Sequence, residues 1–102
     1  MLPRRLEYPG TIMKTIHVIV TGNVQGVGFR HYTRLEAKRL GLAGWVRNLA
    51  DVRVEALLRG NDTQLNAMLS WLKTGSPLAS VDSIAEEMAE EDHSLISFDI
   101  RY

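Results

Sequence analysis

The chain contains no cysteine. Disulfides, thiolate metal ligands and a cysteine nucleophile are therefore excluded. The composition suits a reducing cytosol, and a cytoplasmic location is expected. An excess of one charge is also missing: 12 Lys+Arg stand against 12 Asp+Glu. Such a balance lacks the basic footprint that drives binding to a nucleic-acid backbone, so nucleic acid is not the expected partner. Aromatic residues make up only 7% of the chain, too few to read as a platform for stacked bases. No apolar run approaches the roughly 20 residues of a membrane span. Arg4 and Arg5 are not followed by the apolar core of a secretory leader. His17, His31 and His93 are scattered without metal-ligand spacing, and no metal is expected.

What is present is the composition of one ordinary globular domain: 102 residues, 45% apolar and 24% charged. Residues 1–12 carry Pro3, Pro9 and Gly10 without periodicity and read as a loose extension. Residues 13–102 then read as the domain, expected to act as a monomer. Thr15–Thr21 alternates and is rich in β-branched residues, which predicts a strand with Ile16, Val18 and Val20 on one face. A glycine-rich stretch follows from Gly22 to Gly28. Phe29–Leu40 predicts a helix with Phe29, Tyr32, Thr33, Ala37 and Leu40 facing inward, ended by Gly41.

Ala43–Asn48 and Val52–Leu58 predict a hairpin of two short strands. Leu65, Met68, Leu69 and Leu72 fall at i, i+3, i+4 and i+7, the stripe of an amphipathic helix that Asn61 or Asp62 can cap. Gly75-Ser76-Pro77 ends it, and Val81–Met88 and Leu95–Tyr102 predict the last two strands. The order β-α-β-β-α-β with a short final strand is the split βαβ pattern of an α+β, ferredoxin-like fold. It predicts an antiparallel sheet with two helices on one face. The fold alone names no activity.

The segment richest in chemistry is Val24-Gln25-Gly26-Val27-Gly28-Phe29-Arg30, which joins a strand to a helix N-terminus. Glycines let successive backbone N–H groups turn toward an anion. The helix terminus adds unpaired donors and the positive end of its dipole. Arg30 adds a fixed charge and a planar fork that matches two phosphoryl oxygens. Alternatively, the glycines serve a tight turn and Arg30 is solvated. Neither a Walker loop nor a dinucleotide fingerprint fits, since no Gly-Lys-Ser/Thr follows and His31 stands where the third glycine belongs. The acidic runs Glu86-Glu87 and Glu90-Glu91-Asp92 read as a solvated face.

The same segment resembles the signature of the acylphosphatase family. The likeness continues through Gly44-Trp45-Val46-Arg47-Asn48, Gly75-Ser76-Pro77 and Phe98-Asp99-Ile100-Arg101-Tyr102, covering about residues 14 to 102. The resemblance implies hydrolysis of small-molecule acyl phosphates by direct attack of water on phosphorus, without cofactor or metal. Inorganic phosphate or sulfate would inhibit. It also implies two catalytic residues: Arg30, which would bind the phosphoryl group, and Asn48, which would orient the water.

One position departs from the family pattern. A glycine is usual in the hairpin turn where this chain has Val52. Either Val52 is strained at φ > 0, or the turn is rebuilt with Asp51 or Asn48 in the left-handed conformation. Two further readings stand beside the enzyme: an acylphosphatase-like module that binds an anion without turning it over, disabled at Val52, and a ferredoxin-like RNA binder, which the neutral charge disfavours.

Overall fold

The computed structural model describes residues 12–102; most of the extension read over residues 1–12 lies outside the described residues. The elements follow the expected order: β1 (Lys14–Asn23), α1 (Phe29–Leu40), β2 (Ala43–Asn48), β3 (Val54–Gly60), α2 (Asp62–Leu72), β4 (Ser80–Met88) and β5 (Phe98–Arg101). They form one sheet in the order β4-β1-β3-β2-β5.

Alternation sets the two faces of the sheet. Ile16, Val18 and Val20 of β1, Val46 of β2, and Val54, Ala56 and Leu58 of β3 are buried together with residues of both helices. Each fully buried Val or Leu contributes about 1.5–3 kcal/mol relative to exposure. The intervening residues His17 and Glu55 meet on the other face, where their side chains lie 2.6 Å apart.

The helices form where capping and packing agree. Asn61 is the N-cap of α2, and Asn61 and Gln64 close a reciprocal capping box. The Gln64 amide also donates to the Leu40 carbonyl at 2.9 Å, tying α2 to the end of α1. There Gly41 takes the left-handed conformation, as expected of a C-terminal glycine. Helix α2 buries Leu65, Met68 and Leu72, with Leu69 partly buried against the core. In α1 the buried row is Phe29, Thr33 and Ala37. Tyr32, expected to face inward, is exposed instead. The i, i+4 row from Phe29 fills the space above the sheet and leaves position 32 on the flank, where its ring lies edge-on to His31.

The sheet differs from the antiparallel expectation at one edge, because β5 pairs with β2 in parallel. The reason is the path from β4. The chain passes beneath the sheet along the start of β1, the end of β3 and the start of β2. Ala89 N–H donates to Thr15 O, Glu91 accepts from Arg59 and Thr15, and Gly44 N–H donates to Ser97 O. It therefore enters β5 from the end where β2 also begins. Only Phe98–Arg101 pairs as strand, while Leu95, expected to open it, is buried within the crossing.

Candidate active site

The loop between β1 and α1, the C-terminal end of β2 and the end of β5 surround an open concavity of about 400 Å³. Gly26 and Gly28 form part of its wall, both at φ 75°, a conformation that L side chains rarely adopt. Gly28 is the N-cap of α1, with no side-chain cap and no acidic residue in the first turn. The first N–H groups of α1 thus have no competing carboxylate, and the dipole favours an anion at this end.

The loop side chains divide by role. Val24 and Phe29 are buried in the core, and Val27 packs against it. The Val27 carbonyl accepts from the Ser76 hydroxyl at 2.9 Å. The Gln25 amide donates to the carbonyls of Leu49 and Arg53 at 2.8 and 2.9 Å. Neither Gln25 nor Val27 contributes to the wall of the concavity. What the loop can offer an anion is therefore backbone, held in shape by these anchors.

Arg30 and Asn48 both line the concavity, although they are 18 residues apart in the chain. The guanidinium of Arg30 lies 4.8 Å from the centre of the Tyr102 ring. One of its N–H groups reaches the Arg101 carbonyl only at 3.5 Å. No carboxylate among the described residues pairs with it, which leaves its fork available. Asn48 is the last residue of β2, opposite Val54 of β3. Its Oδ1 is buried and has no hydrogen-bond partner among the described residues. An acceptor in that state favours a ligand that donates.

Val52 resolves the hairpin question. It stands at φ 83°, the one non-glycine residue with positive φ among the described residues. The turn keeps the geometry that glycine would satisfy, and Asp51 braces it by accepting from Arg53 N–H at 3.2 Å and from the Arg53 guanidinium at 2.9 Å. Those bonds hold the Asp51 carboxyl below its ordinary pKa.

Three residues of the site were not singled out for it by the sequence. Arg34, Ile100 and Tyr102 all line the concavity. Arg34 was detectable as the residue one helical turn after Arg30. Ile100 and Tyr102 arrive through the parallel pairing of β5, which no local pattern announces. His31 is exposed, as a helix-surface histidine should be, yet also reaches the wall. Among the described residues no group of three His, Asp or Glu side chains is placed to hold a metal ion. None of their helices is long and apolar enough to cross a membrane.

Comparison with known proteins identifies the family. The acylphosphatase family model matches residues 16–100. The chain is 49% identical over 80 residues to an acylphosphatase of Bordetella parapertussis, covering 78% of this chain and 85% of that one. It is 45% identical over 93 residues to an acylphosphatase of Trichormus variabilis, covering 91% of each. The crystal structure of acylphosphatase from Bacillus subtilis superposes with a TM-score of 0.84 at 37% identity, over 89% of this chain and all of that one.

Proposed function

This chain belongs to the acylphosphatase family and hydrolyses acyl phosphates to a carboxylate and inorganic phosphate, and we propose that it does so in the concavity between Arg30 and Asn48. The observation that carries this placement is the pairing of complementary unfilled groups. The Arg30 guanidinium has no carboxylate partner among the described residues and α1 has no side-chain cap, which suits an anion, and the buried Asn48 Oδ1 has no hydrogen-bond partner there, which suits a donor.

A phosphoryl group bound there accepts hydrogen bonds from the N–H groups at the start of α1 and from the Arg30 fork. Its transition state is loose, and catalysis consists mainly of positioning and charge stabilisation. A water that donates one hydrogen bond to Asn48 Oδ1, keeping that proton, is fixed beside the phosphorus with an oxygen lone pair free to attack. The new P–O bond forms as the bond from phosphorus to the acyl oxygen breaks, and the carboxylate leaves with the electron pair. It is already a good leaving group, so no general acid is needed. A phosphoryl oxygen of the substrate takes up the water's other proton. Charge is met by Arg30 and backbone donors, so the reaction runs without metal or organic cofactor. Phosphate and sulfate, which resemble the bound group, inhibit. The protein acts in the cytoplasm as a monomer.

Asn48→Ala tests the division of labour. It should lower kcat by on the order of 10²-fold, as loss of one preorganised hydrogen-bonding group does. Competitive inhibition by phosphate should change little. Equal losses in turnover and phosphate affinity would contradict the water-positioning role. Exhaustive chelation should leave parental turnover intact, and a loss restored by added Mg²⁺ or Zn²⁺ would contradict the metal-free reaction.

A further inference from the structure

The concavity holds a second guanidinium that this reaction does not use. Arg34 follows Arg30 by one turn of α1, on the same face, and both residues line the same space. Four of the other arginines among the described residues are engaged: Arg39 with Glu36, Arg47 with Glu55, Arg53 with Asp51 and Arg59 with Glu91. Arg34 has no carboxylate partner among the described residues. Its Nε is buried and unpaired there, on the same footing as Asn48 Oδ1. A donor of a charged group shut off from water costs about 1–3 kcal/mol or more when left unmade, and the rest of the guanidinium is not shut off and has no carboxylate partner among the described residues.

The space is also larger than phosphate chemistry requires. At about 400 Å³ the open concavity exceeds a phosphoryl group, which fills only part of it. The acyl chain must occupy some of the remainder, and Ile100 and Tyr102 offer it an apolar wall.

We propose that Arg34 is a specificity-determining residue that binds a carboxylate at the far end of the acyl chain, so that the enzyme selects acyl phosphates of dicarboxylic acids. The proposal rests on the phosphoryl group lying at Arg30. The spacing fits: one helical turn advances about 5.4 Å, and a four-carbon dicarboxylic acyl phosphate places its free carboxylate about 6 Å from phosphorus by ordinary bond lengths. The guanidinium fork suits that carboxylate for the same reason that it suits a phosphoryl group. Chemistry at phosphorus is unchanged; Arg34 contributes to the binding of ground and transition states of such substrates alike.

The test compares succinyl phosphate with butanoyl phosphate, which has the same chain length without the charge. The readout is the ratio of their kcat/KM values, which does not depend on the fraction of folded enzyme. The parental protein should favour succinyl phosphate, and Arg34→Gln should lower that ratio on the order of 10–100-fold, the effect of losing a hydrogen bond to a charged group. Arg34→Lys, which keeps the charge but not the fork, should retain part of the preference. A parental enzyme without the preference, or an Arg34→Gln enzyme with the ratio unchanged, would overturn the proposal. The site itself is tested separately. If Arg30→Ala abolishes turnover of both substrates while Arg34→Gln leaves the ratio alone, only the role of Arg34 falls. If Arg30→Ala turns over both at near-parental rates, the phosphoryl site falls and the role of Arg34 with it.

Discussion

The side-chain amide of Gln25 donates to the carbonyl oxygen of Leu49 at 2.8 Å, joining the anion loop to the residue that follows Asn48. The same amide donates to the Arg53 carbonyl, which also accepts from Leu49 N–H at 2.8 Å. One side chain thus fixes the distance between the group that would bind phosphate and the group that would hold water.

Replacing Gln25 with Ala leaves Leu49 O without this donor and frees the loop from the hairpin. The loss should lower unfolding stability by about 1–2 kcal/mol. It should also lower kcat, because a displacement of about 1 Å in a positioned group costs on the order of 10²-fold. Urea unfolding and steady-state turnover check the two effects. Parental stability together with parental kcat would mean that the two segments hold their spacing without Gln25.

Val52→Gly should stabilise the protein. The residue is 65% exposed, so little packing is lost on removing its side chain. A β-branched residue at positive φ stores roughly 1–3 kcal/mol of strain. Glycine relieves it, offset by up to about 1 kcal/mol of added freedom in the unfolded chain. The net gain of about 1 kcal/mol should raise Tm by roughly 4–8 °C. A lower Tm for Val52→Gly would show that the conformation carries no strain.

Stability should fall on the acid side. Hydrogen bonds from Arg39, Arg53 and Arg59 hold the carboxyls of Glu36, Asp51 and Glu91 below their ordinary pKa values. Burial pushes Glu55 up, but its hydrogen bonds with His17 and Arg47 outweigh that and leave it lowered. A carboxyl with a depressed folded pKa stabilises the protein above its unfolded value, near 4, and loses that contribution as pH falls through the folded value. Tm should therefore be flat from about pH 8 to 5 and decline below about 4.5. Asp51 and Glu91 are better solvated and contribute little each, and Glu36, as shielded as Glu55, has only the exposed Arg39 as partner. Glu55, whose side chain is 14% exposed, should contribute most. The Tm gap between parental protein and Glu55→Gln should then narrow from pH 5 to 3, and a constant gap would assign the acid loss elsewhere.

Local physics made most of the fold legible in the sequence. Element order, the Gly41 and Asn61 caps and the inward row of α2 all follow from spacing and from residue chemistry within a few positions. The need for a positive φ in the short hairpin link was legible as well, but not whether Val52, Asp51 or Asn48 would take it. The parallel β2–β5 edge was not, since it depends on a nine-residue crossing beneath three strands. Tyr32 shows the limit of periodicity: three residues after Phe29 it had the spacing of a core residue, but the space above the sheet went to Thr33 and Ala37. Arg30 and Asn48 were readable as members of two motifs, whereas their meeting in one concavity with Arg34 and Tyr102 required the tertiary fold.

The central claim is that the phosphoryl group is held by Arg30, and the most direct measurement is steady-state hydrolysis of benzoyl phosphate by folded Arg30→Ala. Loss of a preorganised donor costs on the order of 10²–10³-fold in rate, and for a charged bidentate one kcat/KM should fall at least that far. Phosphate inhibition should weaken in parallel, since Arg30 contacts bound phosphate and transition state alike. An Arg30→Ala protein with parental melting behaviour, near-parental kcat/KM and undiminished phosphate inhibition would place the chemistry somewhere other than this concavity.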